Sequence, residues 1–225
     1  MKIENAVIVI TSAGTQLGLG LAHHFLSLKA HVILVDYNQN TLINTHQLCQ
    51  TFAEQTYQYH LDDDSFECIQ PLFSSIEQQF ENGVDVLINL YPSLPFPSLI
   101  HDDFQSYSQN FARLADKILC FSKLAARQML DNNNHGVIIN LACQEIGPSH
   151  HSSSLIVDFT QSWASELAPF NIRVGGIMSR KVSASKSSNE KSDECCWRGN
   201  CAEIIRNTEY IIQNDYFNGR VLESD

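Results

Sequence analysis

The sequence predicts an α/β protein in which a parallel β-sheet is covered by helices on both faces, a doubly wound fold. Short apolar runs alternate with amphipathic helical patterns along the 225 residues, which is the pattern that a covered parallel sheet produces. A chain of this length is long enough to bury one full core. We therefore predict a single domain over residues 1–225 with a sheet of seven strands.

Each predicted strand is a short apolar run, as expected for strands that are buried on both faces. In chain order they are Val7–Ile10, His31–Val35, Tyr57–Leu61, Val84–Leu90, Gly136–Leu141, Arg173–Met178 and Arg220–Leu222. The segments between the strands carry apolar residues at helical spacing, which we interpret chiefly as core, with an oligomer interface as the alternative for the outward-facing part. The predicted helices are Leu17–Leu28, Thr41–Phe52, Ser65–Phe80, Asp103–Leu130, Ser153–Leu167 and Ala202–Ile212.

One segment departs from this alternation. Residues 179–200, "SRKVSASKSSNEKSDECCWRGN", are rich in Ser, Lys and Glu and nearly lack apolar side chains. Such a composition buries too little surface to order itself, so we expect a mobile excursion. The adjacent Cys195 and Cys196, with Cys201 nearby, lack the C-x-x-C spacing of a zinc site, and we predict no metal.

Composition excludes several classes of function. The net charge of −11 disfavours a nucleic-acid partner, because phosphate binding needs clustered Lys and Arg. No apolar stretch reaches the roughly 20 residues that span a bilayer, and Glu4 interrupts what would be the apolar part of a secretory signal. Seven cysteines without a disulfide-like framework are typical of a reducing compartment, so we expect a cytoplasmic protein.

The stretch "TSAGTQLGLG", residues 11–20, follows the first strand and opens the first helix. Backbone N–H groups converge at such a turn and the helix dipole supports a bound anion. With the following residues up to Asp36, it resembles the short-chain dehydrogenase/reductase family, whose loop reads T-G-x-x-x-G-x-G. Thr11 and Gly18 match the family pattern, whereas Ser12 and Gln16 replace its first two glycines.

The resemblance implies a Rossmann-type fold with strand order 3-2-1-4-5-6-7 and a dinucleotide on the loop. A serine at the first glycine costs about 1–2 kcal/mol where the turn requires a positive φ, and Gln16 either crowds a pyrophosphate or donates to it. Asp36 would accept hydrogen bonds from the ribose hydroxyls and repel a 2′-phosphate, so NAD is predicted and NADP is disfavoured. The cofactor-binding positions that the resemblance assigns are Thr11, Ser12, Gly14, Gln16, Leu17, Gly18, Asp36, Asp62 (in "YHLDDDSF") and Asn89 (in "DVLINLYPS").

The catalytic pair of the family is absent from the sequence. Family members use a Tyr as proton donor and a Lys four residues later, yet no tyrosine of this chain has a lysine four residues on. By the resemblance, the Tyr and Lys positions fall on Ser149 and Ser153, and only Asn110 matches a catalytic position. Two residues are candidates for a substitute chemistry: His150, because histidine is the side chain suited to acid–base catalysis near neutral pH, and Cys143, because a cysteine can act as a nucleophile where a neighbouring positive charge lowers its pKa.

Three functional interpretations therefore stand. We favour an NAD-binding protein of this family with impaired catalysis: a binder, a sensor or a partner subunit, in a homo-oligomer or together with an active relative. The family's dimers and tetramers form through the fourth and fifth helices. The alternative is an active NAD-dependent oxidoreductase that acts on a small carbonyl or alcohol with a non-standard proton donor. A purely structural protein without nucleotide is favoured by Gln16, Tyr91 and Ser179 together.

Overall fold

A computed structural model of the chain describes residues 1–92, 104–143, 153–179 and 200–224. All strand pairs are parallel, and the seven strands lie in the order β3-β2-β1-β4-β5-β6-β7, which confirms the predicted fold class and strand order. The strands are β1 Val7–Thr11, β2 His31–Asp36, β3 Thr56–His60, β4 Val86–Pro92, β5 Val137–Cys143, β6 Arg173–Ser179 and β7 Val221–Ser224. The helices are α1 Gln16–Ser27, α2 Gln39–Gln50, α3 Phe66–Gln79, α4 Phe104–Asp131, α5 Ser153–Leu167 and α6 Asn200–Gln213.

The central strands read as continuous apolar runs because both of their faces are buried. All five residues of β1 are buried, and alternate residues face opposite sides of the sheet. Ile8 and Ile10 pack in the core cluster that includes α1 and α6 residues. Val7 and Val9 pack in the cluster on the other face, with residues of α3, α4 and α5.

Side-chain caps set the start of three helices and explain where the predicted boundaries shift. Thr15 caps α1 and Ser65 caps α3. Asn38 accepts hydrogen bonds from the backbone N–H groups of residues 40 and 41, so α2 begins at Gln39, two residues before the prediction. An N-cap satisfies amide groups that have no partner within the helix.

A polar ladder crosses the sheet between α4 and α5. The Asn89 amide on β4 donates to Ser122 Oγ at 2.9 Å and to Asn140 Oδ1 at 3.1 Å. The Asn140 amide on β5 in turn donates to Thr160 Oγ1 at 3.3 Å. All four residues are buried, and a buried polar network of this kind specifies the register of the elements that it joins.

Within the described residues no helix is both long enough and apolar enough to cross a membrane. The same part of the chain contains no cluster of three or more His, Cys, Asp or Glu side chains able to hold a metal ion.

Candidate functional site

The loop between β1 and α1 lies at the topological switch point of the sheet. β1 pairs with β2 on one side and with β4 on the other, so the chain crosses to opposite sides of β1. In open α/β sheets, ligands bind at such a point, at the carboxyl ends of the strands. The candidate site is therefore the edge formed by the ends of β1, β2 and β4.

Hydrogen bonds within the loop hold its shape. Thr15 Oγ1 donates to Ser12 O at 2.9 Å and accepts from Gly18 N at 3.1 Å. The Ala13 amide donates to Val35 O at 3.1 Å, and the Thr15 amide donates to Ser12 O at 3.3 Å. The base of the loop is tied to β4, because Thr11 Oγ1 accepts from the Leu90 amide at 3.0 Å. The turn is therefore built into the fold on both sides.

Ser12 has a φ of 50°, in the left-handed region that glycine adopts freely and that strains other residues. The turn therefore requires a positive φ at this position, and the strain on the serine amounts to about 1–2 kcal/mol. The loop thus keeps the backbone shape of a glycine turn although its first glycine is a serine.

Two glycines of the loop are required by close contacts. A Cβ at Gly18 would lie 2.6 Å from Ala13 O and 2.7 Å from Ala13 Cα, which are backbone atoms that cannot move aside. A Cβ at Gly14 would press against the Thr41 side chain and lie 3.1 Å from Asp36 Oδ2. Gly18 therefore permits the close approach of α1 to the loop, and Gly14 that of α2 and the end of β2.

Asp36 joins the end of β2 to the loop. Its Oδ2 accepts from the Gly14 amide at 2.8 Å, and its Oδ1 accepts from the Asn38 amide at 2.9 Å. The residue is 9% exposed. Each carboxylate oxygen has a second lone pair, so a ribose hydroxyl can still donate to it.

Lys117, which is not among the site residues predicted from the sequence, reaches this site from α4. Its Nζ lies 3.4 Å from Ser12 Oγ and 4.2 Å from the centroid of the Tyr37 ring. Burial lowers the pKa of Lys117, and the Asp64 and Asp36 carboxylates oppose that shift. Burial also raises the pKa of Tyr37, with Asp64 as the next cause. A signal was present in hindsight: lysine interrupts the apolar face of α4 one residue before Ile118.

The remaining predicted cofactor positions have different surroundings. Leu17 is buried in the core, and Gln16 is exposed as the first residue of α1. Asp62 is exposed, with its Oδ1 3.6 Å from His60 Nδ1. The Asn89 amide belongs to the polar ladder between α4 and α5, where it links β4 to α4 and to β5.

Tyr91, one of the three residues that favour a protein without nucleotide, lies on β4. Its side chain is 2% exposed and packs with Leu114, Ile118, Ala142 and Ile156. The bulk of the ring is therefore taken up by the core between α4 and α5.

The predicted catalytic positions are only partly within the described residues. Asn110 is exposed on α4. Cys143 ends β5, in register with Pro92 of β4 and Ser179 of β6, and Ser153 is the first residue of α5. Ser149 and His150 lie outside the described residues, as do Cys195, Cys196 and nearly all of the segment 179–200. Ser179 is buried at the end of β6, and its Oγ has no hydrogen-bond partner within the part of the chain that the structure describes.

The parallel sheet and the capped loop at its switch point define a doubly wound α/β protein of the dinucleotide-binding type. A model of the short chain dehydrogenase family matches residues 6–195, and the chain belongs to this family. A curated relative, short-chain dehydrogenase reductase 3c of Arabidopsis thaliana, is 23% identical over 198 residues, which cover 85% of this chain and 76% of the relative.

Solved structures agree on the fold. Hydroxysteroid dehydrogenase from Escherichia coli superposes with a TM-score of 0.83 at 22% identity, covering 100% of this chain and 97% of that one. A short chain dehydrogenase from Leptospira borgpetersenii with bound NAD+ superposes with a TM-score of 0.77 at 21% identity, covering 99% and 92%. At identities of 21% and 22% the likeness shows the fold.

Proposed function

We propose that this protein binds NAD through the β1–α1 loop and Asp36, and that it does not carry out the family's usual hydride transfer. In this role it is a dinucleotide-responsive binder, a sensor or a partner subunit. The single observation that carries the proposal is the contact between Asp36 and the Gly14 amide at 2.8 Å, because it keeps the ribose-binding carboxylate beside the phosphate loop.

The loop supports binding despite its two lost glycines. Ser12 retains the positive φ of a glycine turn, and Gly18 retains the close approach of the helix to the loop. The N-terminus of α1, a helix of 12 residues, supplies backbone N–H groups and a favourable dipole for a pyrophosphate. The NAD+-bound relative from Leptospira borgpetersenii has the same fold around its cofactor.

Asp36 favours NAD over NADP. A 2′-phosphate would bring a second negative charge beside a carboxylate that is nearly buried, where the repulsion is only weakly screened. The ribose hydroxyls of NAD would instead donate to the same oxygens.

Impaired catalysis rests on the sequence. None of the seven tyrosines is followed by a lysine at the fourth position, and serine is far too weak an acid to replace a tyrosine whose pKa is lowered. General acid–base groups contribute a factor of about 10²–10⁴ in rate, and groups that act as one unit fail together.

The test is a titration that follows NADH fluorescence in the wild type and in two variants that each lose one carboxylate. Asp36→Ala removes the ribose acceptor, whereas Asp131→Ala removes an exposed carboxylate at the end of α4 with the same change in net charge. We expect Asp36→Ala to weaken NADH binding at least about tenfold, the equivalent of one charged hydrogen bond. Asp131→Ala should leave the NADH affinity unchanged. Equal affinities in all three proteins would refute the assignment of Asp36.

The alternative is an active oxidoreductase that uses His150 or Cys143, and the position of Cys143 favours it. The cysteine ends β5 at the carboxyl edge of the sheet, where the chemistry of such folds takes place. Turnover of a small carbonyl compound by the wild type that is lost when His150 and His151 are both replaced by Ala would replace our proposal with this one.

The α4–α5 surface is the proposed interface for a second copy or for an active relative. A groove there is lined by Phe66, Leu119, Lys123, Trp163 and Glu166, among others, and Leu119 is 47% exposed. Light scattering after gel filtration tests this surface: Leu119→Glu should reduce the oligomer. Leu48→Glu, at a leucine on α2 that is 55% exposed, should not.

We also propose a cytoplasmic location, because the thiols of Cys49, Cys68 and Cys120 are free, as they are in a reducing compartment.

A further inference from the structure

The ammonium group of Lys117 lies at the mouth of the phosphate loop, and no described residue forms an ion pair with it. Its described contacts are Ser12 Oγ at 3.4 Å and the face of the Tyr37 ring. No carboxylate among the described residues lies within salt-bridge distance of Nζ. An ammonium group has three N–H donors, and one long hydrogen bond with one ring face leaves its capacity largely unused.

Taking a lysine side chain partly out of water is unfavourable unless something compensates the charge. Tyr37 contributes a cation–π contact, which is worth far less than an ion pair with a buried anion. Asp36 and Asp64 attract the ammonium from a greater distance. Neither of these two carboxylates lies within salt-bridge distance of Nζ. The charge of Lys117 is therefore placed for a partner that the described residues do not provide.

The loop makes such a cation useful. Four of its amides, those of Ala13, Gly14, Thr15 and Gly18, donate within the protein. A phosphate cannot use these four donors unless an internal hydrogen bond breaks. The second glycine of the family pattern is also a glutamine, which narrows the approach to the backbone. A positive side chain at the loop offsets both losses.

We propose that Lys117 is a phosphate-binding residue of this site, and that its ammonium binds a phosphoryl group of an adenine nucleotide at the loop. The inference rests on the proposed function, because it names a further residue of the same site. Ser12 then has a second role: its hydroxyl is the acceptor that directs Lys117 toward the loop, which gives a reason for a serine where the backbone prefers glycine.

The experiment is a calorimetric titration of adenosine, ADP and 2′,5′-ADP into the wild type, Lys117→Met and Lys117→Arg. Lys123→Met is the matched control, since Lys123 lies on the same helix, is exposed and lines the distant α4–α5 groove. A hydrogen bond to a charged group corresponds to a factor of about 10 to 100 in affinity. We expect Lys117→Met to weaken the binding of ADP by that factor and to leave the affinity for adenosine nearly unchanged. Lys117→Arg should keep part of the ADP affinity, and Lys123→Met all of it.

The two phosphorylated ligands identify which phosphoryl group is bound. If Lys117→Met loses affinity for ADP, the ammonium lies at the 5′-diphosphate. If the variant loses affinity for 2′,5′-ADP alone, the ammonium lies at the 2′ position. Thermal unfolding of the same variants separates binding from structure. A purely structural lysine would lower the melting temperature when replaced, whereas a charge held for a ligand should leave the temperature unchanged or raise it.

Two results overturn the inference in different ways. If Lys117→Met binds both ADP and 2′,5′-ADP as tightly as the wild type does, or more tightly, Lys117 has no role in phosphate binding and the proposed function stays intact. A wild type that binds neither ADP nor NADH removes both. If Lys117→Met does not fold, Lys117→Gln takes its place with the same expected losses.

Discussion

Replacing Ser12 by glycine should stabilise the protein, because Ser12 occupies the left-handed region with a φ of 50°. Relief of that strain is worth about 1–2 kcal/mol, and the greater freedom of glycine in the unfolded chain takes back about 0.5–1 kcal/mol. The lost contact with Lys117 at 3.4 Å is long and contributes little. We therefore expect a net gain of about 0.5–1 kcal/mol, or a rise in melting temperature of about 1–4 °C for a chain of this size.

Two matched variants isolate the cause of that gain. Ser12→Ala removes the hydroxyl and keeps the strained backbone, so it should not gain stability. Lys29→Gly relieves a similar φ of 62° just beyond α1, away from the loop, and should gain a similar amount. Urea unfolding of the four proteins measures the differences. A Ser12→Gly variant no more stable than Ser12→Ala would refute the reasoning.

Three further predictions concern the site and its supports. Asp36→Ala removes the acceptor of two backbone amides, so the free energy of unfolding should fall by about 2–4 kcal/mol; a fall below 0.5 kcal/mol in urea titration would contradict the role given to Asp36. Asn89→Ala leaves Ser122 and Asn140 without their shared donor, so the free energy of unfolding, measured by thermal unfolding, should fall by about 2–4 kcal/mol. An unchanged melting temperature would mean that the polar ladder contributes nothing to stability. The folded-state pKa of Lys117 is lowered from 10.5. At a pH between that lowered pKa and 10.5, the Lys117 side chain is protonated in the unfolded chain and deprotonated in the folded chain. The stability contributed by this group therefore rises with pH across that window. The wild type should therefore gain stability relative to Lys117→Met as the pH rises toward 10.5; a constant difference in pH-dependent urea titrations would contradict this.

The sequence was sufficient for the fold because the signals for it are local and repeated. Strands buried on both faces must be apolar runs, and helices that cover a sheet must be amphipathic. The helix starts were less accurate, since a cap such as Asn38 acts through hydrogen bonds to the next residues, which apolar periodicity does not detect.

The sequence points to part of the candidate site, and distance along the chain explains the rest. It points to Ser12 and Asp36 because a loop and the next strand end have a regular spacing. It does not point to Lys117, because that residue lies 105 residues from Ser12 and no pattern in the sequence joins the two. Alternation along β4 places the Tyr91 ring on the α4 side, in the core.

The central claim is that the loop still holds a dinucleotide although the catalytic pair is gone. A calorimetric titration of the wild type with NADH and NAD, with the NADP forms as controls, tests it most directly. We predict saturable binding of one NADH per chain and weaker binding of NADPH. No heat of binding at millimolar NADH would contradict the claim, because it would mean that Ser12 and Gln16 have closed the site.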